Sequence, residues 1–224
     1  ITARSNILVG SGITLSPDGD VFVTGISTFS EGIADDITIN SVNVGKGANS
    51  VSGNTVLGET ALDSATTGGS NTAIGYNALT ALTTGSQNTA VGQIALDAVT
   101  TASNNTAVGR AALTNATTGS NNTAVGSGAL QENTDASGNV GVGYLALNLN
   151  TTGTSNTAVG FKALDANTTA SYNTGIGNHA LGGNTTGAQN TAVGRSALIS
   201  NTTGNNNSAV GYNASYNVTT GYSN

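Results

Sequence analysis

Few residues of this chain carry side chains that could perform acid–base, nucleophilic or metal chemistry. His179 is the single histidine, and the chain has no cysteine. One chain therefore cannot assemble a catalytic triad or a metal cluster around this imidazole. Because His179 also occupies position 7 of the repeat described below, which varies among the copies, we expect it to be a surface residue.

Two pairs of neighbouring aspartates could in principle bind Ca²⁺. They are Asp18 with Asp20 and Asp35 with Asp36. Neither pair has the ligand spacing of an EF-hand, and a calcium-binding β-roll would need an aspartate in every turn. We expect these acids to lie in turns that are exposed to solvent. The sequence therefore predicts no metal site and no cofactor.

Asp63 and Asp97 raise the possibility of a glycosidase, because a retaining enzyme places two carboxylates about 5 Å apart. The two residues are separated by two repeats of the array described below. In a stack of strands that separation is about 10 Å. Hydrolysis is therefore not expected, and the sequence predicts that the protein is not an enzyme.

The composition excludes two classes of partner. Five Lys and Arg residues and a net charge of −6 cannot form a phosphate-binding surface, so no nucleic-acid partner is expected. No run of 18 apolar residues occurs, so no membrane insertion is expected. The chain opens with Ile1, and we expect it to be part of something longer.

The elements that must position these residues belong to a strict repeat. Asparagine, followed three residues later by an aliphatic residue and then glycine, recurs at intervals of 17 without insertion or deletion. The ten copies begin at Asn54, Asn71, Asn88, Asn105, Asn122, Asn139, Asn156, Asn173, Asn190 and Asn207. Within the repeat, position 1 is always Asn, position 5 Gly, position 8 Ala and position 13 Thr, and position 9 is Leu in all copies but the last.

A fixed period with apolar residues at constant positions is typical of a solenoid. Seventeen residues are too few for a pair of helices, which need about 33. We therefore predict an all-β parallel β-solenoid with one 17-residue coil per repeat, a rod on the order of 50 Å long. Asparagine and glycine should form ladders along it. The predicted structural ladder comprises Asn71, Asn88, Asn105, Asn122, Gly75, Gly92, Gly109 and Gly126.

The constancy of both position 8 and position 9 favours an oligomer. In an extended strand the Ala and the Leu would point to opposite faces, so only one of them could fill the coil. The other would form an apolar stripe that needs a partner. From this argument we predict a parallel homotrimer.

Aromatic residues recur at position 6 of the repeat: Tyr76, Tyr144, Phe161 and Tyr212. Tyr144 and Phe161 fall on adjacent coils and could stack on a sugar, which makes them the candidates for surface binding. Packing at a corner is the alternative interpretation of the same pair.

The phrase NTAVGFKALDANTTASYN, which runs from Asn156 to Asn173, resembles shaft repeats of phage tail fibres, often found upstream of an intramolecular chaperone domain. It is also similar to head repeats of trimeric autotransporter adhesins, which are β-rolls. The segment DVFVTGISTFSEGI resembles linkers of cyanophage tail fibres. The resemblance implies a virion structural protein whose partners are itself, other tail or baseplate proteins, and a host cell-surface receptor reached through distal parts.

Three segments are predicted. Residues 1–41 form a β-rich connector or cap around the turn signal SPDGD, 42–53 form an entry coil, and 54–224 form the solenoid, which stops at the start of an eleventh repeat.

Two other functions fit the repeats. The first is a trimeric adhesin or extracellular filament on a bacterial surface. The second is an ice-binding solenoid, suggested by the threonine row Thr66, Thr83, Thr100 and Thr117.

Overall fold

The computed structural model describes residues 13–15, 21–23, 37–39, 41–65 and 67–222. The chain divides into two compact units, Ile1–Ala34 and Asp35–Asn224. In the first unit, β1 (Ile13–Leu15) pairs antiparallel with β2 (Val21–Val23). Apart from β1, β2 and residues 37–39 and 41, the predicted connector stays a prediction, and Asp18, Asp20, Asp35, Asp36 and Thr66 lie outside the described residues.

The second unit is a parallel β-solenoid built on one sheet of twelve strands. Strands β5 to β14 run parallel, and each begins 17 residues after the previous one. The predicted period and fold class are confirmed. The strands are β3 (Ile37–Ile39), β4 (Val42–Gly45), β5 (Thr55–Gly58), β6 (Thr72–Ile74), β7 (Thr89–Val91), β8 (Thr106–Val108), β9 (Thr123–Val125), β10 (Val140–Val142), β11 (Thr157–Val159), β12 (Thr174–Ile176), β13 (Thr191–Val193) and β14 (Ser208–Val210). We number the coils 1 to 10 from Asn54 to Asn207.

The chain enters the stack through antiparallel strands. β3 pairs with β4, and β4 pairs with β5, each in the antiparallel sense. Gly45 consequently lies opposite Val56, and Asn43 lies opposite Gly58. A short 3₁₀ segment, Ala48–Ser50, follows β4 and contacts coil 1 through a hydrogen bond from Asn49 Nδ2 to the Ala65 carbonyl (2.7 Å).

Each three-residue strand has one inward and two outward side chains. Position 3, usually Ala, is fully buried, whereas positions 2 and 4 on either side are partly or fully exposed. This is the alternation that an extended strand imposes. The glycine at position 5 then ends the strand, with a φ between 127° and 141° in coils 2 to 10.

The prediction that Ala at position 8 and Leu at position 9 point to opposite faces was wrong. Both residues are fully buried inside the single chain in coil 6, where they are Ala146 and Leu147. The cause is the backbone: Leu145 and Leu147 have φ values of 52° and 53°, so this segment is not extended. The alternating faces of a strand do not apply to it, and the argument for an oligomer from these two residues fails.

Leucine in a left-handed conformation is unusual, and it recurs at position 9 of coils 1 to 9. The conformation costs about 1–2 kcal/mol per residue for an L-amino acid. Complete burial of a leucine side chain contributes about 1.5–3 kcal/mol. All nine of these leucines have 0% exposure, so their burial offsets the backbone cost and forms the continuous core of the rod.

Replacing Leu147 with alanine is therefore expected to lower the free energy of unfolding by about 2–5 kcal/mol, the range for a buried leucine. The matched control is Leu149→Ala, which removes a leucine two residues away that is 47% exposed. Urea unfolding followed by circular dichroism measures both variants. Equal losses in the two would contradict the proposed role of the position 9 leucines as the core.

Candidate functional site

The asparagine at position 1 closes each coil and joins it to the next. In coil 5, the Asn122 Nδ2 donates to the Ala136 carbonyl of its own coil at 2.9 Å. The Asn122 Oδ1 accepts the backbone N–H of Asn139 in the following coil, also at 2.9 Å. Position 1 is buried in every coil, so these bonds satisfy backbone groups that water cannot reach.

The residues of the predicted ladder all lie in this arrangement. Asn71, Asn88 and Asn105 repeat the two bonds of Asn122. Direct amide-to-amide contacts are present but longer, as from Asn88 Nδ2 to Asn71 Oδ1 at 3.1 Å. The main links thus run between side chain and backbone. The glycines Gly75, Gly92, Gly109 and Gly126 pack directly against one another's backbone in adjacent coils.

A second asparagine ladder, at position 12, was missed by the sequence reasoning. Asn133, Asn150, Asn167, Asn184 and Asn201 are fully buried. The Nδ2 of each later member donates to the Oδ1 of the preceding one at 2.8–3.0 Å. Coils 1 to 4 instead carry Ala65, Leu82, Val99 and Ala116 at this position, so the core changes from apolar to amide-lined halfway along the rod. Recurrence in the second half alone was the available signal.

The amide ladder ends at Asn201 because coil 10 has Val218 at position 12. Among the residues that the structure describes, the Asn201 Oδ1 is the one buried side-chain oxygen or nitrogen without a hydrogen-bond partner. Leaving such an acceptor unsatisfied costs about 1–3 kcal/mol.

We expect Val218→Asn to raise the free energy of unfolding by about 1 kcal/mol, because the new amide can donate to this oxygen. Val218→Ala is the control, since it removes the valine without supplying a donor and should lower stability. Thermal unfolding distinguishes the two. If Val218→Asn is as destabilising as Val218→Ala, the ladder does not extend.

The threonine hydroxyls at position 13 and the serine hydroxyls at position 16 also bind backbone groups. At position 13, Thr83 Oγ1 donates to the Thr100 carbonyl at 3.0 Å, and the bond repeats along the rod. The residue type at position 16 varies among the coils. Where it is serine, as in coils 2 and 3, Ser103 Oγ accepts the Ser86 N–H at 3.0 Å. The threonine row suggested for ice binding therefore uses its hydroxyls within the stack from Thr83 onward.

Two aspartates have shifted pKa values. Hydrogen bonds from the Thr117 and Thr118 hydroxyls lower the pKa of Asp135, an exposed carboxylate. Burial raises the pKa of Asp165, and electrostatic interactions with Lys162 and His179 oppose that rise only in part. The Lys162 Nζ lies 3.8 Å from the Asp165 carboxylate.

An aromatic row runs across coils 6 to 8, formed by Tyr144, Phe161 and His179. The Tyr144 and Phe161 rings stack with centroids 5.4 Å apart and an interplanar angle of 23°. His179 meets Phe161 edge-on at 5.5 Å. Tyr144 is 50% exposed and Phe161 45% exposed. His179 is partly exposed, and its contact with Phe161 makes it the third member of this row.

The outward face of the sheet is uniform. Position 2 is Thr in eight coils, and position 4 is Val, Ile or Leu in all ten. Neither position carries a charged residue in any coil. Position 4 remains accessible, as in Val108 and Ile176, which are 36% and 39% exposed. We call this strip the T-x-V face.

The remaining candidates do not come together. Asp63 and Asp97 occupy position 10 of coils 1 and 3. Coil 2, which has Thr80 at this position, lies between them. No group of three or more histidine and acidic residues that could hold a metal ion occurs in the described ranges. Across the same ranges, no helix is long and apolar enough to cross a membrane.

Comparison with known proteins finds no match to the chain among family models, curated proteins or solved structures.

Proposed function

We propose that this chain is a shaft segment of a trimeric phage tail fibre, which projects a distal receptor-binding tip away from the virion. The observation that carries the proposal is the unbroken register of the stack. Ten parallel strands follow one another at 17 residues, and the position 1 asparagines bond each coil to the next. Such a unit supplies length and stiffness in proportion to the number of repeats.

The T-x-V face supports the trimeric part of the proposal. A position that is exposed in one chain is expected to vary, as positions 6 and 17 do, unless something covers it. A row of aliphatic side chains left in water is an aggregation liability. A second and a third copy present the same row at the same coil spacing, so they can match it along its whole length.

The trimer is tested by light scattering on residues 1–224. A mass near three times the 21.8 kDa of one chain is expected. A mass of one chain at micromolar concentration would overturn the trimer and leave only the solenoid.

The interface is tested by placing charges on the T-x-V face. The double variant Val142→Lys and Val159→Lys should be monomeric with its circular dichroism spectrum unchanged, because like charges repel across a symmetric interface. Thr152→Lys is the control, since it adds a lysine at the exposed position 14. A double variant that stays trimeric would place the interface elsewhere.

The same rod could serve a bacterial surface adhesin, and the flanking sequence distinguishes the two. A baseplate-attachment module or tip chaperone in the complete reading frame is expected for a fibre, together with tail or baseplate proteins as partners. A membrane-anchor barrel or surface-anchoring signal would instead indicate an adhesin on the cell surface.

A further inference from the structure

We propose that the start of the aromatic row binds an acidic saccharide, with a pyranose ring stacked on Tyr144 and its carboxylate directed to Arg110. This site goes beyond the role of a shaft, and it lies within one chain. It therefore does not depend on the proposed trimer.

One face of the Tyr144 ring is covered and the other is open. Phe161 stacks against the first face from coil 7. On the other side, position 6 of coil 5 is Ser127, whose side chain is too small to cover the ring. A hydrogen bond from the Leu145 N–H to the Ser127 carbonyl (3.1 Å) places Ser127 directly beside Tyr144 in the stack. Gly128 is buried with the Leu145 side chain over it, so the step in the row lies at Ser127.

The width of the step fits a single ring. The next large side chain beyond it is Arg110 in coil 4, aligned by the bond from the Gly128 N–H to the Arg110 carbonyl at 2.9 Å. Two coil spacings separate Arg110 from Tyr144, or about 10 Å. Rings in offset stacking lie about 4.5–7 Å apart. One flat sugar ring can therefore contact Tyr144 and still leave room for a substituent that reaches Arg110.

Hydrogen-bonding groups border the step. A Cβ on Gly128 would lie 2.6 Å from the Leu145 Cδ2, which fills that space, and 3.4 Å and 3.7 Å from the Gln131 Oε1 and the Asn148 Nδ2, so these two amides lie at the edge of the step. The Asn148 Nδ2 donates to the Gly128 carbonyl at 3.0 Å, which fixes that side chain. An apolar ring face beside a few placed polar groups is the arrangement that orients a small ligand.

The charge at this site favours an acidic ligand. Arg110 is exposed and makes no ion pair with any residue that the structure describes, where the one ion pair joins Lys162 to Asp165. A guanidinium and a carboxylate form a charge-assisted hydrogen bond with defined geometry. A neutral sugar would gain the stacking contact alone.

Tyr76 provides a matched control within the same chain. It occupies the same position 6 and is 48% exposed. Its neighbours in the adjacent coils are Glu59 and Gln93, long side chains that leave no step next to the ring. Tyr76→Ala thus removes an equivalent tyrosine without touching the proposed site.

The test measures binding of β-1,4-linked tetraglucuronic acid and of cellotetraose, its neutral counterpart, by titration calorimetry. The acidic ligand is expected to bind more tightly, and added salt should reduce the difference. Tyr144→Ala should weaken binding of both ligands about tenfold. Arg110→Gln should weaken only the acidic ligand, by about tenfold or more. Tyr76→Ala should change neither.

Ser127→Gln tests the step without removing either binding group. The chain itself carries glutamine at position 6 in coil 3, as Gln93, so the coil should fold as before and binding should be lost. Absence of saturable binding to the unaltered protein overturns the proposal. So does equal weakening by Tyr76→Ala and Tyr144→Ala, or an Arg110→Gln variant that still prefers the acid. A monomeric mass in solution would overturn the trimer and leave this site untouched.

Discussion

Gly109→Ala is expected to lower the free energy of unfolding by more than about 4 kcal/mol, at the upper end of what single substitutions do. The φ of Gly109 is 140°, a backbone conformation that residues with a side chain rarely adopt. A Cβ at this position would lie 2.5 Å from the Gly126 carbonyl oxygen and 2.6 Å from its carbon. These are backbone atoms of the next coil, so relief of the contact requires the coils to separate.

Gly138→Asn is the matched control for this prediction. Gly138 also has a positive φ, 72°, but it lies at position 17, and its nearest contact would be the Ser155 side chain at 3.6 Å. Other coils carry Asn104 and Asn121 there, at φ values of 61° and 62°. Urea unfolding of the two variants is compared by circular dichroism. A small effect of Gly109→Ala would show that the close contact of coils at position 5 is dispensable.

Asn122→Ala is expected to cost about 2–6 kcal/mol, because it leaves two buried backbone groups without partners at about 1–3 kcal/mol each. These groups are the carbonyl of Ala136 and the N–H of Asn139. The control is Asn178→Ala, which removes an exposed asparagine at position 6. Similar stabilities of the two variants would contradict a structural role for the ladder.

Asn122→Asp separates the two bonds of this side chain. An ionised carboxylate can accept the Asn139 N–H but cannot donate to the Ala136 carbonyl, and burial raises its pKa above the value in the unfolded chain. Its protonated form is therefore favoured by folding, and the lost stability should return in part as the pH falls through the folded-state pKa. A variant whose stability relative to the native protein does not change with pH would contradict this account.

The repeat alone was enough to predict the stack. A strict 17-residue interval without insertions fixes which residues lie above one another, so the register of β5 to β14 and the alignment of Asn122 with Asn139 could be read directly from the chain. Stacking identical coils leaves little freedom, because a register shift of one residue in any coil would move that coil out of every ladder at once.

Two other features could not be read from the pattern. The inward direction of both Ala146 and Leu147 depends on left-handed residues at positions 7 and 9, and a leucine gives no local signal for that conformation. The ladder at position 12 begins only at Asn133, after four coils with apolar residues, so its recurrence is incomplete.

The sequence by itself thus determined the period, the coil and the order in which side chains stack along the rod. Only the tertiary structure decided that the side chains at positions 8 and 9 both point inward. That direction depends on left-handed φ values. Burial of the leucines offsets the free-energy cost of this conformation only when the neighbouring coils are in place. For the same reason, the open face of Tyr144 beside Ser127 emerges from the packing of successive coils and not from the pairing of Tyr144 with Phe161 alone.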